Sequence, residues 1–402
     1  MIRIPKKVQM VLETLENAGH SAYIVGGCVR DLLLMDSPKD FDVTTSAIPC
    51  EIKKLFSRTV DIGIKHGTVA VIVNGEKIEV TTFRVDGMYL DGRRPESVSF
   101  TKSIEEDLSR RDFTINAIAY NPHTGFFDPF NGQMDIQNRH IRCVGDAAER
   151  FGEDALRMVR AVRFAATLGF MVDEKIIDCI DLLKSKLSAV SVERINEETR
   201  KLLLGAHPDA LLLAEQTGIL PYMLTGGDLN VENLNTTIQR IKKCPTDYPM
   251  RFAILLDGIC ENHNDVLQKS KLANRLIKTV QAYLSYLHKP IKRDKYEIKK
   301  ILRDMPIDLF DNLLTLKEII APDVEINAIR NLKDEIINAG ECYTLKNLAV
   351  KGKDLIAHGI KPGQEMGQML ENMLDQVMRD PKLNNKDKLL SFACSEKDPG
   401  GI

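Results

Sequence analysis

Apolar residues recur at helical spacing in the first twenty positions, where Val8, Val11, Leu12 and Leu15 fall on one face. The pattern then changes period. SAYIVGG (residues 21–27) is a short apolar strand ending in two glycines, and CVRDLLLM restarts a helix at once. KDFDVTTSA reads as a strand, IPCEIKKLF as a helix, and GTVAVIVNGEKIEVTTFRV as a hairpin. In that hairpin two β-branched runs flank Asn74-Gly75, a strong turn signal. From about residue 146 the strand pattern disappears. EDALRMVRAVRFAATLGF, EKIIDCIDLLKSKL, SVERINEETRKLLLGA and PDALLLAEQTGIL all carry helical apolar spacing, separated by short Gly or Pro turns.

The expected fold is therefore an α+β head, a small mixed sheet with helices, followed by an extended all-α body and tail. The expected divisions are a catalytic head over 1–147, a helical neck over 148–200, a helical body over 201–300 and a helical tail over 301–402.

Composition narrows the classes. Hydrophobic residues make up 44% and charged residues 28%, an ordinary globular mixture that excludes a disordered or fibrous chain. Eight scattered cysteines have neither zinc nor redox-motif spacing, which points to reduced thiols and a cytoplasmic location. No run of about 18 apolar residues predicts a membrane span. Net charge is −2, yet residues 241–300 hold 13 Lys or Arg against 6 Asp or Glu, a local +7. Such a stretch is either a phosphate-binding face or a solvated helix surface.

Candidate chemistry lies in the head. Asp40 and Asp42 are two apart in an expected strand and so share a face. Two adjacent carboxylates repel unless a cation lies between them, and oxygen ligands of this kind suit Mg²⁺. Gly26 and Gly27 precede a helix carrying Arg30, a combination that lets backbone and guanidinium approach a phosphate. Glu79, on the return strand of the hairpin, is a candidate third acid. Arg110, Arg111 and Asp112 follow, and an arginine fork there can clamp a triphosphate. Taken singly, the acids are more often an exposed strand face, the glycines an ordinary strand-to-helix turn, and the arginines structural ion pairs.

Five blocks together carry a resemblance: GGCVRDLLLMDSPKDFDVTT (26–45), RRDFTINAIAYN (110–121), DPFNGQMDI (128–136), EDALRMVRAVRFAATLGF (153–170) and SVERINEETRKLL (191–203). The head resembles the polymerase-β-like nucleotidyltransferases. The whole chain resembles the bacterial-type class II tRNA nucleotidyltransferases, the CCA-adding enzymes. The resemblance implies stepwise addition of CMP, CMP and AMP from CTP and ATP to the tRNA 3′ end, without a nucleic-acid template, by two-metal transfer that releases pyrophosphate.

It assigns Asp40 and Asp42 to Mg²⁺, Gly27, Arg30 and Arg111 to the triphosphate, and Asp154 and Arg157 to the incoming base. Arg160 and Arg163 complete the nucleotide site. Asp112 and Asn116 are expected to hold the sugar or the local loop. Asp154 and Arg157 are i and i+3 on an expected helix, side by side. Cytosine and adenine both offer an amino donor beside a ring-nitrogen acceptor; uracil and guanine reverse the two. One carboxylate and one guanidinium therefore select C and A. Arg194 is read either as a brace for this helix or as an ordinary ion pair.

The polar loop of residues 84–100, with Asp91, Arg93 and Arg94, accompanies the switch from C to A in the family, and its full length argues against a CC-only enzyme. The basic stretch 241–300, with Lys351, Lys353 and Lys361, is expected to meet tRNA phosphates of the acceptor and T arm. Dimers are common in the family, so a homodimer is among the expected assemblies. Three rivals stand beside this reading: an enzyme adding only the final A, a poly(A) polymerase, and a non-catalytic RNA-binding module.

Overall fold

The computed structural model describes residues 3–87, 97–322 and 325–395, with side chains to residue 392. The loop residues 88–96, including Asp91, Arg93 and Arg94, lie outside the described part. The chain forms two compact units, Met1–Lys242 with Gly258–Leu272, and Lys243–Asp257 with Ala273–Ile402.

The first unit holds every strand among the described residues. In chain order these are β1 (Ala22–Val25), β2 (Asp42–Thr45), β3 (Thr59–Gly63), β4 (Thr68–Val73), β5 (Glu76–Thr82), β6 (Arg84–Asp86), β7 (Val98–Phe100), β8 (Ala119–Asn121), β9 (Gly125–Phe127), β10 (His140–Ile141) and β11 (Met171–Val172). Seven of them make one mixed sheet in the order β3-β4-β5-β2-β1-β8-β9. β4 and β5 form the expected hairpin, and Asn74 and Gly75 take the positive φ of 51° and 81° that its two-residue turn requires.

The site-bearing junction is at the centre of the sheet. β2 pairs antiparallel with β1 and parallel with β5, so Asp42 lies opposite Val25 on one side and Glu79 on the other. β1 ends at Val25 because Gly26, with φ 80°, turns the chain into α2 (Gly27–Leu33). β2 therefore has no β1 partner before Asp42, and the strand begins there. Asp40 lies outside the strand, a correction to the expected single strand face.

The other helices of this region are α1 (Lys6–Asn17), α3 (Pro49–Leu55), α4 (Ile104–Ser109), α5 (Gly132–Gln137), α6 (Ala147–Glu153), α7 (Leu156–Leu168), α8 (Glu174–Leu183) and α9 (Val192–Leu203). Val8, Val11, Leu12 and Leu15 of α1 are buried, as their spacing requires. The run 153–170 is not one helix. Its chain breaks at Asp154, whose φ of −146° and ψ of 103° are extended, between α6 and α7. Apolar periodicity continues across this break, so the pattern alone does not register it. β11 is a two-residue exception to the strand-free body.

The second unit is helical throughout its described residues and has its own core, in which Leu348, Val350, Met373, Leu374 and Val377 are buried. No helix among the described residues is long and apolar enough to cross a membrane. The seven cysteines whose side chains are described are unpaired.

Candidate active site

Asp40 and Asp42 share the wall of one open cavity of about 480 Å³ with Lys39, Phe41, Lys77 and Glu79. The carboxyl of Asp42 is raised above its ordinary range. Loss of solvent is the main cause, the charge of Glu79 adds to it, Arg111 opposes it, and Asp40 contributes a further push upward. Glu79 is the register partner of Asp42 across the parallel pair, and its carboxylate accepts from Lys77 Nζ at 2.8 Å. Three acids thus line one cavity beside the central β2-β5 pair.

Behind them lies the glycine turn. A Cβ on Gly26 would sit 3.3 Å from Arg111 Nη1, whereas one on Gly27 would meet only Arg30 Nη2 at an ordinary 3.5 Å. The special backbone position is therefore Gly26, next to the Gly27 singled out from sequence. Arg30 is fixed on three sides: Nη1 donates to Asn116 Oδ1 at 2.7 Å, Nε and Nη2 donate to Asp31 at 3.0 and 2.7 Å, and its guanidinium carbon lies 5.3 Å from the Phe164 ring centroid. Arg111 Nη2 pairs with Asp107 at 3.2 Å, and its buried Nε has no hydrogen-bond partner.

The base-selecting pair read from sequence has a different geometry. Asp154 precedes α7, and its Oδ1 accepts from the Leu156 backbone N–H at 3.1 Å. Arg194 of α9 grips both its oxygens, Nη1 to Oδ1 at 3.1 Å and Nη2 to Oδ2 at 2.7 Å. Arg157, buried in α7, donates from Nη2 to the Arg110 carbonyl at 2.8 Å and from Nη1 to the Arg150 carbonyl at 3.1 Å and to Glu153.

The fold and these contacts can be set beside known proteins. Residues 22–142 match the family described as poly A polymerase head domain, 169–228 the probable RNA and SrmB-binding site of polymerase A, and 250–393 the putative tRNA nucleotidyltransferase domain 2. The CCA-adding enzyme of Streptococcus thermophilus is 36% identical, covering 98% of this chain and 97% of its own. That of Pediococcus pentosaceus is 38% identical over 95% of each chain.

The chain belongs to the CCA-adding enzyme family. The crystal structure of the Bacillus stearothermophilus CCA-adding enzyme in complex with CTP matches it with a TM-score of 0.82 at 30% identity, covering 98% of this chain and 99% of that one. As a CCA-adding enzyme it is a tRNA nucleotidyltransferase, and nucleotidyltransferases of this family depend on a divalent metal.

The carboxylates fit such an ion. Among the described residues no group of three or more His, Cys, Asp or Glu is placed to hold a metal ion by itself. A hard cation that keeps substrate phosphates in its shell needs only one or two protein carboxylates, and Asp40 and Asp42 supply two on one cavity wall.

Arg160 and Arg163 of this CCA-adding enzyme join a buried network that sequence reasoning only half found. Arg160 Nε and Nη2 donate to Asp112 Oδ2 at 2.7 and 2.5 Å. Burial alone would raise the Asp112 carboxyl, but Arg160 outweighs it and holds the group at about 2. Arg163 Nε pairs with Glu198 at 2.8 Å, and its guanidinium carbon lies 3.4 Å from the Phe164 ring centroid. Burial pushes Arg163 down to about 10, against the pull of Glu198. Glu198 also faces Arg160 at 3.7 Å.

Glu198, Phe164 and Asp107 were not singled out from sequence. Glu198 and Phe164 lie inside the quoted blocks; Asp107 lies just outside them, and nothing in its spacing distinguishes it from the neighbouring acids.

In the basic stretch, two cations are withdrawn from the surface. Lys299 is buried, pairs with Glu341 at 2.5 Å and donates to the Met378 carbonyl at 2.9 Å. Arg251 is buried and donates to the carbonyls of Pro245 and Cys244. Lys351 folds back onto the carbonyls of Leu345 and Lys346.

Proposed function

We propose that the enzyme adds CMP, CMP and AMP in turn from CTP and ATP to the 3′ end of tRNA, releasing pyrophosphate at each step and using no nucleic-acid template. The observation that carries this reading is the grouping of Asp40, Asp42 and Glu79 on one open cavity, with Arg111 close enough to Asp42 to oppose the rise of its carboxyl. Carboxylates beside an arginine make a site that suits a nucleoside triphosphate with a divalent metal.

Asp40 and Asp42 would hold Mg²⁺, with triphosphate oxygens completing its shell. When bound, such an ion supplies positive charge to the transferred phosphoryl group and the departing pyrophosphate, and acidifies a hydroxyl nucleophile. Arg111 donates to the triphosphate, and Gly26 and Gly27 let it lie close to the chain. Arg30, braced by Asp31 and Asn116, adds a second pre-set charge on the same side.

Asp154 and Arg157 read the base with the hydrogen-bonding capacity their partners leave. A carboxylate has about four acceptor sites. Arg194 and the Leu156 N–H engage three, so one on Oδ2 is left for an amino group. Arg157 has about five N–H donors. Three are engaged, which leaves Nε and one on Nη2 for a ring nitrogen. An amino donor beside a ring acceptor, the edge shared by cytosine and adenine, satisfies both. Uracil and guanine set donor against donor and acceptor against acceptor, at a cost of about 1–3 kcal/mol for each unpaired buried group. Arg160 and Arg163 keep α7 in register through Asp112 and Glu198.

The test uses Mg²⁺ and three tRNA transcripts that end before the first C, after one C and after both. Each is incubated with labelled CTP, with ATP and with the two together, and products are resolved at single-nucleotide length. Extension of all three to one common end is expected. Extension of only the third makes this an A-adding enzyme. An open-ended ladder of A makes it a poly(A) polymerase, and no extension leaves an RNA-binding module.

A further inference from the structure

Asp107, in the first turn of α4, is fully buried. Its Oδ1 accepts from Arg110 Nε and Nη2 at 3.1 and 2.7 Å and from the Arg84 backbone N–H at 3.3 Å. Its Oδ2 faces Arg111 Nη2 at 3.2 Å and Thr44 Oγ1 of β2 at 3.4 Å. One carboxylate thus ties the catalytic strand, the base of β6 and two successive arginines.

Those arginines lead to opposite ends of the nucleotide site. Arg111 extends past Gly26 toward the Asp42 cleft. Arg110 points its side chain back to Asp107, and its carbonyl accepts the 2.8 Å hydrogen bond from Arg157. Moving Arg110 moves that carbonyl, and with it the donor that reads the base.

We propose that Asp107 is a positioning residue that fixes the triphosphate-binding Arg111 and the base-reading Arg157 in one register. The inference rests on the roles given to Arg111 and Arg157 under Proposed function. Burial alone would raise the Asp107 carboxyl, but Arg111 and Arg110 outweigh it and hold it below the ordinary range, so the group is a fixed anion at neutral pH. A guanidinium left without that anion keeps its charge and loses its aim. An arginine that must meet one phosphate oxygen, and another that must meet one ring nitrogen, both depend on aim.

The experiment compares Asp107→Asn, Asp107→Glu and Arg111→Ala with the wild type, using full-length enzyme and a tRNA transcript lacking CCA. Melting temperature, kcat, KM for CTP and the ratio of CMP to UMP incorporation are measured. Asp107→Asn keeps shape and loses charge. It is expected to raise KM for CTP by about ten- to hundredfold and to lower the CMP/UMP ratio, with a smaller change in kcat. Combined with Arg111→Ala it should add little further to KM, because both changes remove the same contact. A purely structural role would lower melting temperature and active fraction while leaving KM and the ratio alone.

A folded Asp107→Asn enzyme with wild-type KM and ratio overturns the proposal. If Arg111→Ala also leaves KM unchanged, the triphosphate reading itself has failed. If Arg111→Ala raises KM and Asp107→Asn does not, only the positioning role has failed. Should Asp107→Asn not fold, Asp107→Glu decides: it keeps the charge but displaces it by a methylene, so a wild-type KM and ratio there overturn the proposal and a raised KM supports it.

Discussion

Both oxygens of Asp154 are held by Arg194, at 3.1 and 2.7 Å, and Arg157 turns instead to the Arg110 and Arg150 carbonyls and Glu153. The two residues proposed to read the base are therefore not paired with each other. Each is clamped by its own partners, and neither has to give up a mutual salt bridge before a base arrives. Preorganised groups of this kind avoid a reorganisation cost at the moment of binding.

On the proposed reading, Arg194 is a determinant of fidelity. Arg194→Ala frees the carboxylate to rotate and should lower kcat/KM for CTP and ATP together by about ten- to hundredfold, with relatively less effect on UTP and GTP. Single-turnover incorporation of each of the four nucleotides checks this. Arg157→Ala should relax or abolish the same selection. Unchanged discrimination in both variants would leave the pairing argument without support.

Asp42 carries a cost that its function explains. Its carboxyl is raised by loss of solvent and by Glu79, so the folded state binds its proton more tightly than the unfolded chain does. That contribution to stability is complete below the ordinary carboxylate range and is lost as pH rises through the folded value, so at neutral pH the ionised group destabilises the metal-free fold. Asp42→Asn should raise the melting temperature of metal-free enzyme while abolishing nucleotide transfer and leaving tRNA binding near wild type. Added Mg²⁺ should raise the melting temperature of the wild type and not of the variant. Transfer activity in Asp42→Asn, or an equal Mg²⁺ shift in both proteins, would count against the metal role.

The division into an α+β head and a helical continuation was legible because period two and period 3.6 are different signals. The Asn74-Gly75 hairpin was legible because only that turn chemistry closes it. Less visible was the break at Asp154, since apolar spacing runs through it and the extended dihedral is set by capping and by Arg194. The strand start at Asp42 depends on where β1 stops, a fact about its neighbour. Asp107 and Glu198 look like any acid of an amphipathic helix; only the fold brings arginines distant in sequence to Glu198 and a second strand to Asp107. Side-chain networks that span 35 to 48 positions, as from Arg163 to Glu198 and Asp112 to Arg160, leave no local pattern.

Gly26 is held at φ 80° and ψ −136°, a region that side-chain-bearing residues adopt at a cost of about 1–3 kcal/mol. A methyl there also meets Arg111 Nη1 at 3.3 Å. Gly26→Ala should therefore lose stability by roughly that amount and raise KM for CTP beyond what the stability loss explains. Gly27→Ala, with only a 3.5 Å contact, should be the milder change. Thermal melts and steady-state kinetics on the two variants separate them; equal effects would mean that neither the backbone strain at Gly26 nor the approach to Arg111 is decisive.

Asp112 ties α7 to the arginine beside the glycine turn. Its Oδ2 takes two hydrogen bonds from Arg160, and its Oδ1 faces Asn116 Nδ2 at 3.3 Å, while Asn116 in turn accepts from Arg30. The carboxyl is held at about 2, so the folded state releases its proton more readily than the unfolded chain. The resulting stability, about 2 kcal/mol, is fully present at neutral pH and is lost as pH falls from about 5 to about 2. Asp112→Asn leaves the partly buried Arg160 with the 3.7 Å contact to Glu198 and the Phe164 ring, and should cost about 2 kcal/mol at neutral pH. The gap between wild type and variant in denaturant unfolding should then narrow as pH is lowered through that window. A gap that stays constant across it would show that Asp112 acts through packing and not through its charge. If the gap narrows as expected, the same variant should also raise KM for CTP, because loosening Asn116 loosens Arg30.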